Sequence, residues 1–352
     1  MITSLILFFG ALVLALALTP VSKWLAPHAG VIARPRSRDV HTIPVPKMGG
    51  VAILLAVMAM VVLLRGQPEI RQIVSIIFGA AFMSFLGLVD DRFGLSAYVR
   101  LPLQLATAAF VWFNGVRIQF FLIEYLDAAL TVIWIVGITN AMNFLDNMDG
   151  LLAGISAVIS AFFLVLAVFN GQILVGALSA AMLGACIGFL FYNLNPATVF
   201  MGDSGSMFLG FLLACIAIKL RFAQTPSVSW LVPLVVMGLP VFDMTLVVIS
   251  RLRRGKNPLT TPGKDHSSHR LTALGFSHRE AVMILYLVCC ALGVAALLVS
   301  AFDRTAALLL GLAILFAGVF MLWFMEFGPW KFTNPYPLPG AKPESPAEQT
   351  NA

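Results

Sequence analysis

Carboxylate and amide side chains cluster at residues 140–150, NAMNFLDNMDG, just after the apolar run AALTVIWIVGI. Asn140, Asn143, Asp146 and Asp149 recur at every third position, so a continuing helix would keep them along one slowly drifting face. Their oxygens suit a hard cation such as Mg²⁺, which takes few protein ligands and completes its shell with water and substrate phosphates. The pattern predicts a site for a divalent cation and an anionic ligand at a helix end.

A second acidic motif, GLVDDRFGLS at residues 87–96, ends another apolar run. Asp90 and Asp91 stand where the negative end of a helix dipole disfavours carboxylates, so a nearby cation should compensate. A solvated helix end with Arg92 as its counter-ion is the simpler alternative. If Asp91 points back toward Arg92, it should matter less than Asp90.

A third motif, FMGDSGSMFLG, places Asp203 between Gly202 and Gly205 just before an apolar run. The glycines allow close backbone approach, and the free N–H groups of the following helix favour an anion. Asp203 is therefore expected to cap this helix or to bind a metal beside a phosphate.

Two basic motifs accompany the acids. PGKDHSSHRL contains His266, His269 and Arg270, and HTIPVPKMGG contains His41 and Lys47. Zinc would need a Cys or a third His near the histidine pair, so phosphate is the better ligand for this mixture of His, Lys and Arg. For His41 and Lys47, a plain helix-entry turn is the alternative to a ligand contact.

The rest of the chain is predicted to form apolar helices that position these motifs in a membrane. Of its 352 residues, 60% are hydrophobic and 11% are charged. Apolar stretches near the length that a helix needs to cross a bilayer recur from end to end. We expect an all-α polytopic protein with a retained first span and a capping box at SHRE before the tenth span. The eleven expected spans are 2–19, 49–64, 72–89, 99–115, 121–139, 150–169, 172–192, 205–222, 230–250, 280–300 and 305–325.

The distribution of Lys and Arg predicts the orientation. Sixteen of them, including Arg100 at the start of the fourth span, fall on one side and six on the other, which by the positive-inside rule puts the N-terminus outside and the C-terminus in the cytoplasm. This topology predicts a single catalytic domain, 1–326, and a disordered cytoplasmic tail, 327–352. The expected cytoplasmic loops are 20–48, 90–98, 140–149, 193–204 and 251–279.

The same topology places six aspartates together at the cytoplasmic face. Acids scattered at random would be divided between the two faces, so their convergence beside the basic loops indicates a site for an anionic ligand and a divalent cation. They lie in four separate loops: Asp90, Asp91, Asp146, Asp149, Asp203 and Asp265.

Taken together, the motifs KMGG, LVDDR, NAMNFLDNMDG, FMGDSGS and DHSSHRL resemble those of the polyprenyl-phosphate N-acetylhexosamine-1-phosphate transferases, glycosyltransferase family 4, in order and spacing. The resemblance covers nearly the whole chain. It implies transfer of a sugar-1-phosphate from a UDP-sugar to a lipid phosphate, with Mg²⁺ or Mn²⁺ and release of UMP. The chain looks most like the bacterial branch that uses UDP-N-acetylglucosamine and undecaprenyl phosphate to begin cell-envelope glycans.

The resemblance also implies roles for the motif residues. Asp203 and Asn143 would hold the metal, while Asp146 and Asp149 would support it and orient the nucleotide or sugar, near Asn140. The basic residues divide into two groups: His266, His269 and Arg270 for the diphosphate or sugar, and Arg100, Lys47 and His41 for the lipid phosphate. Asp90 is expected to orient the nucleophile through a basic partner or the metal. The expected partners are UDP-N-acetylglucosamine, the lipid and the bilayer, with no nucleic acid; a homodimer is left open.

Two alternatives remain open at this point. The related transferase of phospho-N-acetylmuramoyl-pentapeptide carries adjacent histidines where this chain has HSSH after the basic RLRRGK. The N-acetylglucosamine branch commonly reads His-x-His-His, so Ser268 stands in place of the middle histidine. A transporter would concentrate acids near the midplane in repeated halves, whereas most acids here lie at one face. Asp243, well inside an apolar run, is a functional candidate or a partner for a neighbouring span.

Overall fold

The computed structural model describes residues 2–33, 44–64, 69–222, 226–261 and 263–328. These ranges form thirteen α-helices and one short 3₁₀ helix, Val62–Leu64. The α-helices are α1 (Ile2–Ala29), α2 (Gly49–Val61), α3 (Ile70–Phe93), α4 (Ala97–Phe113), α5 (Glu124–Leu145), α6 (Leu151–Phe169), α7 (Ile173–Asn193), α8 (Gly202–Lys219), α9 (Pro226–Val236), α10 (Gly238–Arg253), α11 (Ser267–Ala273), α12 (His278–Ala301) and α13 (Arg304–Phe327).

Within the described ranges, eight helices are long and apolar enough to cross a bilayer. The count becomes nine if α9 and α10, which bend by 73° where they meet, form one broken span. The predicted second span is a shorter apolar helix, Gly49–Leu64, and α4 has 17 residues. A polytopic helical membrane protein is therefore confirmed, while the number eleven stays a prediction.

The first helix continues ten residues beyond the predicted span, through Pro20 to Ala29. Proline removes the backbone N–H that would bond to the carbonyl four residues earlier, which usually ends or kinks a helix. Here that carbonyl, Leu16 O, accepts a hydrogen bond from the Tyr192 hydroxyl of α7 at 3.0 Å. The tertiary contact satisfies the freed carbonyl, so the helix extends into the region expected as a loop.

A two-stranded ribbon departs from the all-α expectation. Strand β1 (Ile32–Ala33) pairs antiparallel with β2 (Val45–Pro46), with Ile32 opposite Pro46. Beyond the ribbon, Lys47 N donates to Val31 O at 3.1 Å and Phe200 N donates to Pro46 O at 2.8 Å. The ribbon therefore fixes Lys47 beside the segment that leads into α8.

The core is organised around α8, almost all of which is buried. Helices α2, α3 and α5 pack against it, and α7 lies between α1 and α6. The C-terminal ends of α3 and α5 meet the N-terminal ends of α2 and α8, and these ends carry the acidic and basic motifs. The helix α13, in contrast, is mostly exposed along its length. The predicted tail, 327–352, lies outside the described residues from 329 onward, and its first residue, Phe327, ends α13.

Candidate active site

The two carboxylates that end α3 point to different partners. Asp90 Oδ2 accepts a hydrogen bond from Arg100 Nη1 of α4 at 2.5 Å, and Asp90 Oδ1 accepts one from Leu95 N at 2.7 Å. Both oxygens are thus engaged, one by a cation and one by the turn between α3 and α4. This arrangement fits a carboxylate that orients Arg100.

The Asp91 side chain turns into the protein and not toward Arg92. The condition under which Asp91 would matter less than Asp90 is therefore not met. Its side chain is fully buried and lies 2.5 Å from Lys47 Nζ. It also accepts hydrogen bonds from the backbone N–H groups of Asp203 at 3.1 Å and Ser204 at 3.2 Å. Asp91 therefore caps the N-terminus of α8 and ties it to Lys47.

Asp203 lies at the centre of the cluster. Asn143 Nδ2 donates to Asp203 Oδ1 at 3.1 Å and to Ser206 Oγ at 2.8 Å. Lys47 Nζ is 3.8 Å from Asp203 Oδ1, and Arg100 Nη1 is 3.9 Å from Oδ2. The Asp203 carboxylate is 25% exposed, whereas that of Asp91 is fully buried, so Asp203 is more open to a ligand than Asp91.

Close packing at two glycines makes this geometry possible. A Cβ at Gly87 of α3 would lie 2.2 Å from Asp203 O, so only glycine lets α3 approach the start of α8. Gly202 has a φ of +77°, which favours glycine, and a Cβ there would lie 2.6 Å from Asp91 Oδ2. The glycines of the two motifs thus bring the acidic pair against Asp203.

The end of α5 adds a carboxylate without a cationic partner in contact. Burial raises the pKa of Asp146 to about 7, and Asp203, Asp91 and Asp149 add to this shift while Lys47 opposes it. A neighbouring positive charge would lower the pKa again and favour the carboxylate. Asp146 is thus placed to respond to a cation or to a protonated ligand group.

Two other residues of the same motif are bonded within the protein. Asp149 Oδ2 accepts hydrogen bonds from Asn195 Nδ2 and Ala197 N, each at 3.0 Å, and so holds the segment between α7 and α8. Asn140 Nδ2 donates to Gln104 Oε1 of α4 at 2.7 Å. Their substrate roles stay predictions, and their observed contacts join α5 to α4 and to the segment before α8.

Lys47 keeps its charge in this acidic setting. Burial lowers the pKa of Lys47, but Asp203 and Asp91 outweigh burial and raise the pKa above its ordinary value. With Arg100, Lys47 supplies the positive charge nearest to Asp203. His41, predicted to accompany them, lies outside the described residues.

A short helix, α11, presents the histidine motif to the end of α5. His266, its N-cap residue, shares a hydrogen bond between Nδ1 and Asp243 Oδ2 at 2.9 Å. Asp243 also accepts from Ser267 N at 2.7 Å and Ser267 Oγ at 2.6 Å. The His266 ring meets the Phe144 ring edge-on, with centroids 5.9 Å apart. The buried acid of α10 therefore orients both His266 and the start of α11.

The other motif positions on α11 have different environments. Ser268 Oγ donates to Asn147 Oδ1 at 2.6 Å, which joins α11 to the loop after α5. Burial and the neighbouring His266 and Lys264 lower the pKa of His269 to about 4. His269 is therefore neutral near pH 7 and suits hydrogen bonding better than charge pairing. Arg270 is buried and bonded to Glu326 Oε2 at 2.6 Å, so its substrate role stays a prediction.

The donor set around Asp203 fits Mg²⁺. Within the described ranges, no group of three His, Cys, Asp or Glu side chains has metal-binding geometry. Mg²⁺ does not require one, because it usually binds one or two carboxylates with water and substrate phosphates. The Asp203 carboxylate and the Asn143 amide lie in contact, and the motif carboxylates outnumber the two nearby cations. The excess negative charge would be relieved by a divalent cation.

Comparison with known proteins identifies the family. Residues 73–221, from α3 through α8, match the model of glycosyl transferase family 4. The probable undecaprenyl-phosphate N-acetylglucosaminyl 1-phosphate transferase of Bacillus subtilis is 37% identical over 297 residues, 82% of each chain. The chain belongs to glycosyl transferase family 4.

Other relatives of this family 4 chain carry related names. A decaprenyl-phosphate N-acetylglucosaminephosphotransferase of Mycobacterium tuberculosis is 34% identical over 348 residues, covering 88% of this chain and 85% of the relative. An undecaprenyl-phosphate alpha-N-acetylglucosaminyl 1-phosphate transferase of Escherichia coli is 26% identical, with 76% of each chain covered. The resemblance drawn from the five motifs is confirmed, and the chain is a multi-pass membrane protein.

Several residues of the site were not predicted from the sequence. Asn147, Gln104 and Asn195 bond to motif residues across the bundle, but an isolated amide in a sequence gives no sign of its partner. Asp243 was recognisable as an acid inside an apolar run, although its contact with His266 was not. Glu326 gave no signal, since it lies near the chain end beside the expected tail.

Proposed function

We propose that this chain transfers N-acetylglucosamine-1-phosphate from UDP-N-acetylglucosamine to a polyprenyl phosphate and releases UMP. The observation that carries the proposal is the contact of Lys47, Asp91, Asp203 and Asn143 at one end of an apolar bundle. Such a site can meet a lipid phosphate at the membrane surface and a nucleotide from the aqueous side. The names of the relatives support this pair of substrates.

In the proposed reaction, an oxygen of the lipid phosphate attacks the β-phosphorus of UDP-N-acetylglucosamine. A new P–O bond forms, the bond from that phosphorus to the bridging oxygen breaks, and UMP leaves with the bonding electrons. The lipid phosphate has a second pKa near ~6, so it is mostly a dianion at pH 7 and needs little help from a base. Positioning and charge neutralisation should therefore dominate, as in other phosphoryl transfers.

Two cations and two carboxylates are assigned to the lipid phosphate. Arg100 and Lys47 would receive the lipid phosphate, and Asp90 and Asp91 would hold those two cations in place through the contacts of 2.5 Å. Each Asp90 oxygen already accepts a hydrogen bond, one from Leu95 N and one from Arg100. This supports Asp90 as an orienting group.

Asp203 and Asn143 would hold Mg²⁺, for which Mn²⁺ can substitute. When bound, the ion would neutralise the negative charge that develops on the diphosphate. Asp146 would bind waters or polar groups around it, and its high pKa would fall as positive charge arrives. Asp203→Asn should abolish transfer at saturating Mg²⁺ with the protein still folded in detergent, and near-normal turnover would exclude this assignment.

His266 and His269 would contact the diphosphate or the sugar. Asp243 fixes the ring of His266 by accepting a hydrogen bond from Nδ1, which leaves the opposite nitrogen, Nε2, to contact the substrate. His269 would act as a neutral hydrogen-bonding group. We assign Arg270 to holding α11, since its nearest partners are protein groups.

We place the site at the cytoplasmic face of the plasma membrane, with eleven spans, the N-terminus outside and the C-terminus inside. The excess of Lys and Arg in the loops on the site side supports this orientation. The product, a lipid-linked N-acetylglucosamine, would be the acceptor for later sugar transfers in a cell-envelope glycan. A homodimer stays a prediction.

The donor is tested by a side-by-side assay. Purified protein with undecaprenyl phosphate and Mg²⁺ should release UMP from UDP-N-acetylglucosamine and not from UDP-N-acetylmuramoyl-pentapeptide. Ser268 in contact with Asn147, in place of a histidine, does not by itself decide between these donors. Turnover of the muramoyl donor alone would overturn the proposed substrate and leave the reaction class intact.

A further inference from the structure

The mostly exposed last helix, α13, ends in a carboxylate that reaches the histidine-bearing loop. The Glu326 side chain is only 7% exposed. Glu326 Oε2 accepts from Arg270 Nη2 at 2.6 Å, and Oε1 accepts from Arg253 Nη1 at 3.1 Å. Buried carboxylates are costly unless paired, and this one is paired with arginines from two different elements, α11 and α10.

Arg270 carries the contact into α11. Its Nε donates to Asp265 O at 3.1 Å, its Nη2 to Ser250 Oγ at 3.0 Å and its Nη1 to Met325 O at 2.5 Å. A guanidinium has a rigid fork of donors, so these contacts fix its orientation as well as its position. Arg270 thereby joins α11 to the ends of both α10 and α13.

Two acids thus hold α11 at different positions. Asp243 holds the first turn through His266 and Ser267, and Glu326 holds the next turn through Arg270. His269 lies between these two anchors and next to Arg270 in the chain. Loss of the second anchor would remove the charged partner that holds the middle of a seven-residue helix, and a helix this short has little stability of its own.

We propose that Glu326 is a positioning residue for the transfer reaction: through Arg270 it sets the orientation of α11, and so the placement of His266 and His269 against the nucleotide sugar. This inference rests on the proposed function. Glu326 itself contacts neither substrate, and the lipid phosphate site at Lys47 and Arg100 does not depend on it. Replacement of Glu326 should therefore impair the use of UDP-N-acetylglucosamine and leave the binding of the lipid phosphate unchanged.

The variants are Glu326→Gln, Glu326→Asp, Arg270→Gln and the double variant Arg270→Gln/Glu326→Gln. Glu124→Gln, at an exposed helix start on α5, is the matched control. Steady-state assays give kcat and the KM for each substrate. Hydrogen exchange measured by mass spectrometry follows the amides of α11, with those of α12 as the internal reference, and needs no turnover.

Glu326→Gln should reduce kcat/KM for UDP-N-acetylglucosamine about tenfold, because small misplacements of binding groups are costly in rate. The KM for undecaprenyl phosphate should stay within about twofold, since its site is separate. Exchange in α11 should rise without a change in α12. Glu326→Asp, which keeps the charge, should recover part of the loss, and Arg270→Gln/Glu326→Gln should be no worse than Arg270→Gln alone.

Additive losses in the double variant, or normal kinetics and α11 exchange in Glu326→Gln, would overturn the positioning role. So would an equal rise of both KM values together with faster exchange in α12, which would indicate a general loss of structure. Should Glu326→Gln fail to fold, Glu326→Asp serves in its place. A partial loss of kcat/KM for UDP-N-acetylglucosamine with faster exchange in α11 would support the role, and normal kinetics with normal exchange would overturn it. Absence of turnover by the wild-type protein would overturn the proposed function, whereas the exchange result would still test the anchor.

Discussion

Replacing Asp146 with asparagine should stabilise the ligand-free protein. Burial and three neighbouring carboxylates, Asp203, Asp91 and Asp149, raise the pKa of Asp146 to about 7, and Lys47 only partly offsets them. An acid whose pKa is higher in the folded than in the unfolded state makes folding less favourable once it must ionise. Asparagine removes the charge and keeps the shape.

The size and sign of the expected stability change follow from the pKa shift of Asp146. In the unfolded chain an aspartate has a pKa near ~4, so the penalty is absent below about pH 4, grows toward pH 7 and is complete above it. A shift of roughly three units corresponds to about 4 kcal/mol at ~1.4 kcal/mol per unit. Because Asp146 is partly exposed and water relaxes around it, we expect about 1–3 kcal/mol to be recovered in Asp146→Asn.

Thermal unfolding in detergent with EDTA, at intervals from pH 5 to pH 8.5, measures this effect. The advantage of Asp146→Asn over wild type should increase with pH, while Glu124→Gln shows no such trend. Transfer activity should fall at the same time, since Asp146 is assigned to the metal and its waters. An advantage that is constant with pH, or an Asp146→Asn protein less stable than wild type at pH 8, would refute the electrostatic reasoning.

Three further predictions concern the ends of α3 and α8. Asp90→Asn should lose activity by a similar factor from pH 6 to pH 9, because Asp90 orients Arg100; a deficit confined to pH 6 in the pH–rate profile would instead identify a base. Asp91→Asn should cost about 1–2 kcal/mol of stability, since one carboxylate oxygen becomes a donor that faces Lys47 and the N–H groups of Asp203 and Ser204. The burial that raises the pKa of Asp91 to about 6 offsets part of this loss. The variant should reduce kcat at least as much as Asp90→Asn, and stability equal to that of wild type would contradict this. Gly87→Ala should cost about 1–3 kcal/mol or more by overpacking against Asp203 O and should reduce kcat, and an unchanged melting point would show that the helices can separate freely.

The sequence predicted the features that depend on local pattern. Apolar stretches located most of the spans, and Ser277 with Glu280 forms the capping box expected before the tenth span. Asp90, Asp91, Asp146 and Asp203 do lie close together, because each ends or begins an apolar helix and such helices in a bundle share their ends. Asp265, predicted to join them, is paired instead with Arg251 and Arg254. The predicted membrane class follows from the same pattern.

Features that depend on partners distant in sequence were not predicted. The continuation of α1 through Pro20 depends on a hydroxyl in α7, and the direction of Asp91 depends on the N–H groups of α8. Arg270 looks like a phosphate ligand in a basic loop, yet it is buried against Glu326. In each case the residue type is compatible with several environments, and contacts with residues distant in sequence determine which one it has.

The central claim is tested most directly by following the transferred phosphate. UDP-N-acetylglucosamine labelled in its β-phosphate is incubated with purified protein, undecaprenyl phosphate and Mg²⁺, and the label is measured in the lipid extract alongside released UMP. We predict label in the lipid and UMP in equal amounts with wild type, and neither with Asp203→Asn. Label released as free phosphate or sugar phosphate, or lipid labelling that persists in Asp203→Asn, would contradict the account.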